Sequence, residues 1–308
     1  MRTITRLEQL QNETRPLVLA AGAFDGVHLG HQEVIRRALG HARRLGGSTW
    51  VLTFDPHPLK LLRPDLAPPL ITSTPHKLQL LRGQGVDGCA VLAFTHTLAA
   101  VEAETFIADL KRAVPALAAI VVGANWTFGH QARGDVRLLG ELGQRHGFAV
   151  DIVQGVQSGE QAISSTRIRK AVASGNLAEA ASLLGRPFSM YGTVIHGTQL
   201  GRKLGYPTAN VDPHNEVRPP AGIYAVRMLV EGESHPGAAF LTDHPDPRKG
   251  PPDVVEVHLI DRDMDLYDRE VEVFFEQRLR DEWRFENLDA LKKQIALDVA
   301  QARAALNV

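Results

Sequence analysis

Between residues 17 and 153 the chain alternates short apolar runs with segments whose apolar residues recur every three or four positions. The runs LVLAA, TWVLTF, GCAVLAF, AIVVG and FAVDIV have the length and continuity of strands buried on both faces. After the first run, Val34, Ile35, Ala38, Leu39, Ala42 and Leu45 fall at helical spacing and predict a helix with one apolar stripe. Further helices are predicted from His76, over Ala103 to Ala113 and near Val136 to Arg145. Repeated strand–helix units imply a parallel sheet covered on both faces, with ligands beyond the carboxyl ends of its strands.

The rhythm changes after the helical stretch TRIRKAVASGNLAEAASLLG, beginning at Arg186 and Pro187. MYGTVIHG, GIYAVRMLV, VVEVHLID and REVEVFFEQRL alternate as strands do, with Gly and Pro between them, and predict an antiparallel barrel or sandwich starting near Phe188. The expected domains are therefore residues 1–186, an α/β parallel-sheet domain, and residues 187–308, an antiparallel β domain. Leu288, Leu291, Ile295, Leu297 and Val299 predict a closing helix packed on the barrel, with Asn287 as its cap. The Pro-rich segments PDLAPPL and DHPDPRKGPPD read as mobile loops.

Composition narrows the chemistry. Lys and Arg number 34 against 35 Asp and Glu, a balance that argues against holding long nucleic acids by phosphate neutralisation. Any phosphate chemistry must then be local. The single cysteine, Cys89, sits in an apolar run, has no intrachain partner, and reads as core in a reducing compartment. With no run long enough to cross a bilayer and no signal-like start, the expectation is a soluble, cytoplasmic protein with no membrane partner.

The stretch GAFDGVHLGH, residues 22–31, places His28 and His31 between the first strand and its helix. A helix start offers N–H groups without intrahelical partners and a partial positive charge, and glycines allow close approach of a phosphate. The histidines add donors that can follow charge onto a departing pyrophosphate. A lone histidine there would more readily be a turn cap or helix-start packing. Here TFDPHP, VVGANWTFG, GHQARGD and ISSTRIR also fall at strand ends or helix starts. In ISSTRIR, Ser164, Ser165 and Thr166 supply hydroxyls while Arg167 and Arg169 supply cations, although a capped basic helix would look the same.

In the second half, GTVIHGTQLGRKLGYPTANV is rich in glycine and carries Arg202 and Lys203, a composition suited to phosphates or to a flexible barrel loop. Its spacing matches neither a P-loop nor a dinucleotide fingerprint. Thr208 and Asn210 lie two apart on an extended segment and can point the same way as oxygen ligands for Mg²⁺.

Together GAFDGVHLGH, TFDPHP, VVGANWTFG and ISSTRIR resemble the nucleotidylyltransferase module of bacterial bifunctional riboflavin kinase/FMN adenylyltransferases, and GRKLGYPTANV resembles the kinase signature of the same family. The resemblance runs over essentially the whole chain. It implies a Rossmann-like nucleotidylyltransferase sheet followed by a riboflavin kinase barrel. It implies that riboflavin and ATP give FMN, and that FMN and ATP then give FAD and pyrophosphate, both steps using Mg²⁺. His28 and His31 would be catalytic in adenylyl transfer, and Glu256 the base of the kinase. Nucleotide and flavin contacts would come from Gly22, Phe24, Gly30, Phe54, His57, Pro58, Asn125, Ser165, Thr166 and Arg167, and in the barrel from Gly197, Gly201, Arg202 and Gly205. Thr208 and Asn210 would hold Mg²⁺–ATP. Partners would be flavins and ATP, with room for a weak homo-oligomer. Strand alternation alone makes Glu256 an outward residue between inward Val255 and Val257.

The chain departs from the family pattern at four places. Ala23 stands where Asn is usual, Asn125 where many members show Asp, AFLTDHPDPRKGPPD where a segment like NIGxxPTF is usual, and Asp268 where LYG ends in glycine. These leave open a second enzyme reading, FMN adenylyl transfer alone with a degenerate flavin-binding barrel. A flavin-binding protein without turnover is a third reading, and spacing alone does not exclude cytidylyl transfer.

Overall fold

In the computed structural model, which describes residues 1–197, 199–242 and 254–308, the chain divides into two compact units. The first comprises Met1–Pro68 and Thr74–Ser164, and the second Pro69–Ser73 and Ser165–Val308.

The first unit is a six-stranded parallel sheet. Its elements are β1 (Arg2–Ile4), β2 (Leu17–Ala21), α1 (Leu29–Leu45), β3 (Ser48–Asp55), α2 (Pro58–Leu62), α3 (Thr74–Gly83), β4 (Gly88–Ala93), α4 (His96–Ala99), α5 (Ala103–Ala113), β5 (Leu117–Gly123), α6 (Val136–His146) and β6 (Ala149–Val153), with a small hairpin β7 (Gln157–Ser158) and β8 (Gln161–Ala162). The order β1-β4-β3-β2-β5-β6 makes β2 and β5 neighbours on opposite sides of the chain's reversal, so the topological switch lies at their carboxyl ends. Continuous apolar runs fill β2, buried throughout, because α1 and α3 cover one face and α5 and α6 the other. Val34, Ile35, Ala38 and Ala42 form the buried stripe of α1, while Leu45 at its end is 46% exposed. Cys89 is core, and burial pushes its thiol up to about 12.

The second unit opens with α7 (Ser165–Ala173) and α8 (Leu177–Leu184), broken at Gly175, which adopts φ +77°. A closed antiparallel barrel follows: β9 (Phe188–Ile195), α9 (Leu200–Leu204), β10 (Ala209–Pro213), β11 (Gly222–Val230), β12 (Glu233–Leu241), β13 (Val255–Leu259), β14 (Glu270–Arg280), then α10 (Leu288–Leu306). The expected barrel strands are present. β1 and β12 had no counterpart in the apolar pattern, because β1 is a three-residue edge strand and β12 carries Pro236 and Gly237 mid-strand.

One expectation is corrected. In α10, Leu288 and Leu297 are both 57% exposed, and the helix packs on the barrel through Val299, Ala302, Ala305 and Leu306. Leu70, the last residue of PDLAPPL, donates its N–H to Glu216 at 2.9 Å, and the next residue, Ile71, is buried with its carbonyl accepting from Asn215. The other Pro-rich segment, residues 243–253, lies outside the described residues, as does most of AFLTDHPDPRKGPPD. Asp268, where the family pattern has glycine, adopts φ +61°, a left-handed conformation that Asp tolerates better than most residues.

The closing helix is tied to β14 by Arg280, which donates to both carboxylate oxygens of Asp298 at 2.8 and 2.7 Å, with Gln294 donating to the same group at 2.9 Å. Asp298 is 3% exposed, so removing it leaves a guanidinium that is only 11% exposed without its carboxylate. Asp298→Ala is expected to destabilise the helix–barrel contact by about 3 kcal/mol, read as lost hydrogen-exchange protection in α10 with β2 to β5 unchanged.

Candidate active sites

The first site is built at the carboxyl end of β2. Its strand ends at Ala21, and residues 22–28 turn the chain into α1. Phe24 and Val27 take the left-handed region at φ +52° and +40°, and Gly26 at +83°. Such conformations cost of order 1–3 kcal/mol each in residues other than glycine and persist only when the surroundings over-determine them. Here both side chains are 1% exposed, and Gln32 Nε2 donates to the Val27 carbonyl at 2.9 Å.

His28 caps α1: its Nδ1 accepts the His31 N–H at 3.3 Å, which leaves its Nε2 as the protonated nitrogen in the neutral ring. The rings of His28 and His31 stack, centroids 3.6 Å apart and 17° between planes, and Phe24 lies 5.2 Å from the His31 ring. Gly30 makes this stack possible, because a Cβ there would sit 3.1 Å from the His28 ring. His31 Nδ1 is enclosed without a hydrogen-bond partner, so Nε2 is the nitrogen through which it can reach a ligand. Burial, reinforced by the charges of His28 and Lys77, holds the His31 pKa well below the usual histidine range.

The other expected residues of this unit surround the same strand ends. Phe54 lies near the end of β3, next to β2, with Phe94 edge-on at 5.6 Å. His57 caps α2, accepting the Leu59 N–H at 3.2 Å, and Pro58 is the first residue of that helix. Asn125 is exposed just beyond β5. Gly22 packs near the Phe24 ring, where a Cβ would lie at 3.3 Å. A group the sequence reading did not single out, Lys77 on α3, is buried behind the turn and donates to the Ala23 carbonyl at 3.0 Å. A lysine on an amphipathic helix reads as a solvated position, so its pattern carried no signal.

Ser165, Thr166 and Arg167 form the first turn of α7 in the second unit, where Arg167 Nε donates to Glu179 on α8 at 2.8 Å.

The barrel carries the second site. Register pairs Asn210 of β10 directly with Glu256 of β13, and Glu256 in turn with Phe240 of β12. Val255 and Val257 are fully buried, and Glu256 occupies the opposite, half-buried face together with Asn210. The glycine-rich segment packs onto the oxygen donors: a Cβ on Gly197 would lie 2.4 Å from Asn210 Nδ2, and one on Gly201 3.3 Å from Thr208 Oγ1. Gly205 ends α9 at φ +90°, and Arg202 is exposed, 4.0 Å from Asp263. His258 bonds the Pro207 carbonyl through Nδ1 at 2.8 Å, fixing the approach to Thr208.

A parallel sheet with a histidine-capped helix at its switch point, joined in sequence to a closed barrel with a glycine-rich cradle, defines a two-domain transferase of the nucleotide-using kind. The FAD synthetase family model matches residues 10–167, and the riboflavin kinase model matches residues 184–306. The chain belongs to the bifunctional riboflavin kinase/FMN adenylyltransferase family. It is 40% identical to the member from Escherichia coli strain K12, over 98% of this chain and 96% of that one. It is 38% identical to the member from Pseudomonas fluorescens, over 99% and 97%. A crystal structure described as a macrolide-efflux protein from Streptococcus pneumoniae superposes with a TM-score of 0.82 at 30% identity, covering 97% of each chain. Among the described residues of the present chain, no helix is long and apolar enough to cross a membrane.

The depressed His31 pKa has a defined consequence. Below pH 6.5 the unfolded chain binds a proton at this position that the folded chain refuses, so His31 costs stability as pH falls through 6.5 toward its folded pKa. NMR titration of the ring resonances is expected to show His31 neutral at pH 6.5, where an ordinary histidine is half protonated.

Proposed function

We propose that the chain carries out both reactions of its family, with adenylyl transfer at the His28/His31 turn and riboflavin phosphorylation at the Asn210/Glu256 face of the barrel. The observation that carries the first assignment is the stacked histidine pair at the topological switch of the parallel sheet, at the start of a 17-residue helix. A phosphate oxygen of FMN attacks the α-phosphorus of ATP, and pyrophosphate leaves. The Nε2–H groups of His28 and His31, with the helix N-terminus, stabilise the charge gathered on the phosphates. A neutral His31 suits a donor's role. Phe54, His57, Pro58 and Asn125 supply the surrounding walls, and Ser165, Thr166 and Arg167 remain nucleotide-contact candidates as hydroxyls and a cation at their own helix start.

In the barrel, Glu256 takes the proton of the primary ribityl hydroxyl as that oxygen bonds to the γ-phosphorus and ADP departs. Thr208 Oγ1 and Asn210 Oδ1 are neutral oxygens of the kind Mg²⁺ accepts when phosphates and waters complete its shell. Gly197 and Gly201 keep the space beside them free of side chains. Bound there, Mg²⁺ would neutralise charge on the transferred phosphate. Gly205 and Arg202 belong to the same glycine-rich cover. The buried, unpaired thiol of Cys89 supports a reducing, cytoplasmic setting.

Chromatography of products from riboflavin, ATP and Mg²⁺ tests the reading. The native protein is expected to yield FMN and then FAD. FMN alone, or binding without product, would reject it. His31→Ala is expected to lower FAD formation by roughly a hundredfold or more while FMN formation persists, and an unchanged FAD rate would remove His31 from the site. Glu256→Gln is expected to lower the kinase rate by about a hundredfold or more with FAD synthesis from supplied FMN intact. Thr208→Ala should raise the requirement for Mg²⁺–ATP instead.

A further inference from the structure

Behind the histidine turn, two polar side chains converge on one backbone carbonyl and bond each other. Lys77 Nζ donates to the Ala23 oxygen at 3.0 Å and to Thr53 Oγ1 at 3.3 Å, and Thr53 Oγ1 donates to the same Ala23 oxygen at 3.0 Å. Lys77 is 6% exposed and Thr53 fully buried, so this triangle is closed to water. Burial lowers the Lys77 pKa, and the carboxylates of Asp25 and Asp55 and the Cys89 thiol pull the other way.

An ammonium in that position is costly. A buried charge costs several kcal/mol before its partners are counted, and apolar residues of similar volume often replace buried ion pairs without loss of stability. Packing of α3 against the sheet would therefore be served as well by a methionine. A methionine could not hold the Ala23 carbonyl. That carbonyl belongs to the residue just before Phe24, the first of the two left-handed side-chain-bearing positions that precede His28. If Ala23 turns, the strain at Phe24 and Val27 is released and the histidine pair loses its place. The strand neighbour, β3, supplies Thr53, so the clamp fixes the turn to the rigid sheet rather than to another loop.

We propose that Lys77 is a positioning residue for adenylyl transfer: its ammonium, with the Thr53 hydroxyl, clamps the Ala23 carbonyl and holds residues 22–27 in the conformation that presents His28, His31 and the start of α1 to the nucleotide phosphates. The proposal rests on the assignment of adenylyl transfer to His28 and His31. It adds a residue from a different helix, with no place in the histidine motif.

The test compares Lys77→Met, Thr53→Val, Thr53→Ser and His31→Ala in the full chain, measuring kcat and KM for ATP in FAD synthesis from FMN, with FMN formation from riboflavin as an internal control. Lys77→Met is expected to lower kcat for FAD synthesis on the order of tenfold or more, with a smaller change in KM and no change in FMN formation. Thr53→Val should lose activity in the same direction, and Thr53→Ser should restore what the valine removes. A folded Lys77→Met protein with native kcat overturns the clamp, as does a loss that vanishes on cooling to a temperature where the variant is fully folded. If Lys77→Met does not fold, the Thr53 pair decides, and equal activity of the Val and Ser variants overturns the proposal. Full FAD synthesis in His31→Ala would bring down the site assignment and this inference with it. Loss in His31→Ala with native activity in Lys77→Met would overturn the clamp alone.

Discussion

Seven residues, Gly22 to His28, carry the chain from the end of a fully buried strand to the first turn of α1, and the chemistry proposed for the first unit depends on how that passage is held. Each carbonyl along it that turns away from the sheet needs a donor, or the turn costs more than its surroundings return. The donors come from several elements: Lys77 and Thr53 on Ala23, the Val27 N–H on Phe24 at 3.1 Å, and Gln32 on Val27. The left-handed positions are fixed because Phe24 and Val27 are buried in the core that α1 itself covers. The turn is thus held from the sheet, from α3 and from α1, and its exit is a helix start with two stacked imidazoles.

The barrel solves a similar problem by register. Closure through the β9–β10 pair removes every strand edge, so the partner of each residue is determined. Asn210 faces Glu256 because β10 and β13 pair in one register, and a one-residue slip of either strand would turn its polar group to the face of the buried valines and break the pair. The glycines at 197 and 201 then do by absence what Gly30 does in the first unit, leaving room beside a polar side chain that any Cβ would fill.

Much of this architecture was legible in the chain. Continuous apolar runs identified the central parallel strands, since a strand buried on both faces has no alternative composition, and alternating segments identified most of the barrel. What escaped had physical causes. β12 contains Pro236 and Gly237, which read as a break although the closed barrel accommodates them. In α10, Leu288 and Leu297 fit a helical period but lie off the face formed by Val299, Ala302, Ala305 and Leu306. The His28–His31 pair was visible in GAFDGVHLGH, but Lys77 was not, because its contact with Ala23 joins residues 54 positions apart and its surroundings on α3 suggest an ordinary surface lysine. Alternation alone favoured an outward Glu256 and only the family resemblance made it a base, and the pairing with Asn210 was not available from one strand alone.

The two sites differ in a way that the proposed reactions explain. An alcohol must lose a proton as it becomes a nucleophile, so the barrel face needs a carboxylate within reach of the substrate hydroxyl, and Glu256 is the group that register supplies there. A phosphate monoester is already anionic near neutral pH and needs no base. Its attack on another phosphate meets like charge instead, and the useful protein groups are donors that spread that charge without carrying protons away. Two imidazoles fixed at Nδ1, one by the helix cap and one by enclosure, are confined to that donor's part, which is also why a depressed His31 pKa is compatible with its place in the site. The buried ammonium of Lys77 fits the same logic: it places positive charge behind the turn, where it favours the neutral ring of His31 and fixes the carbonyl that a water molecule in a looser protein would otherwise occupy.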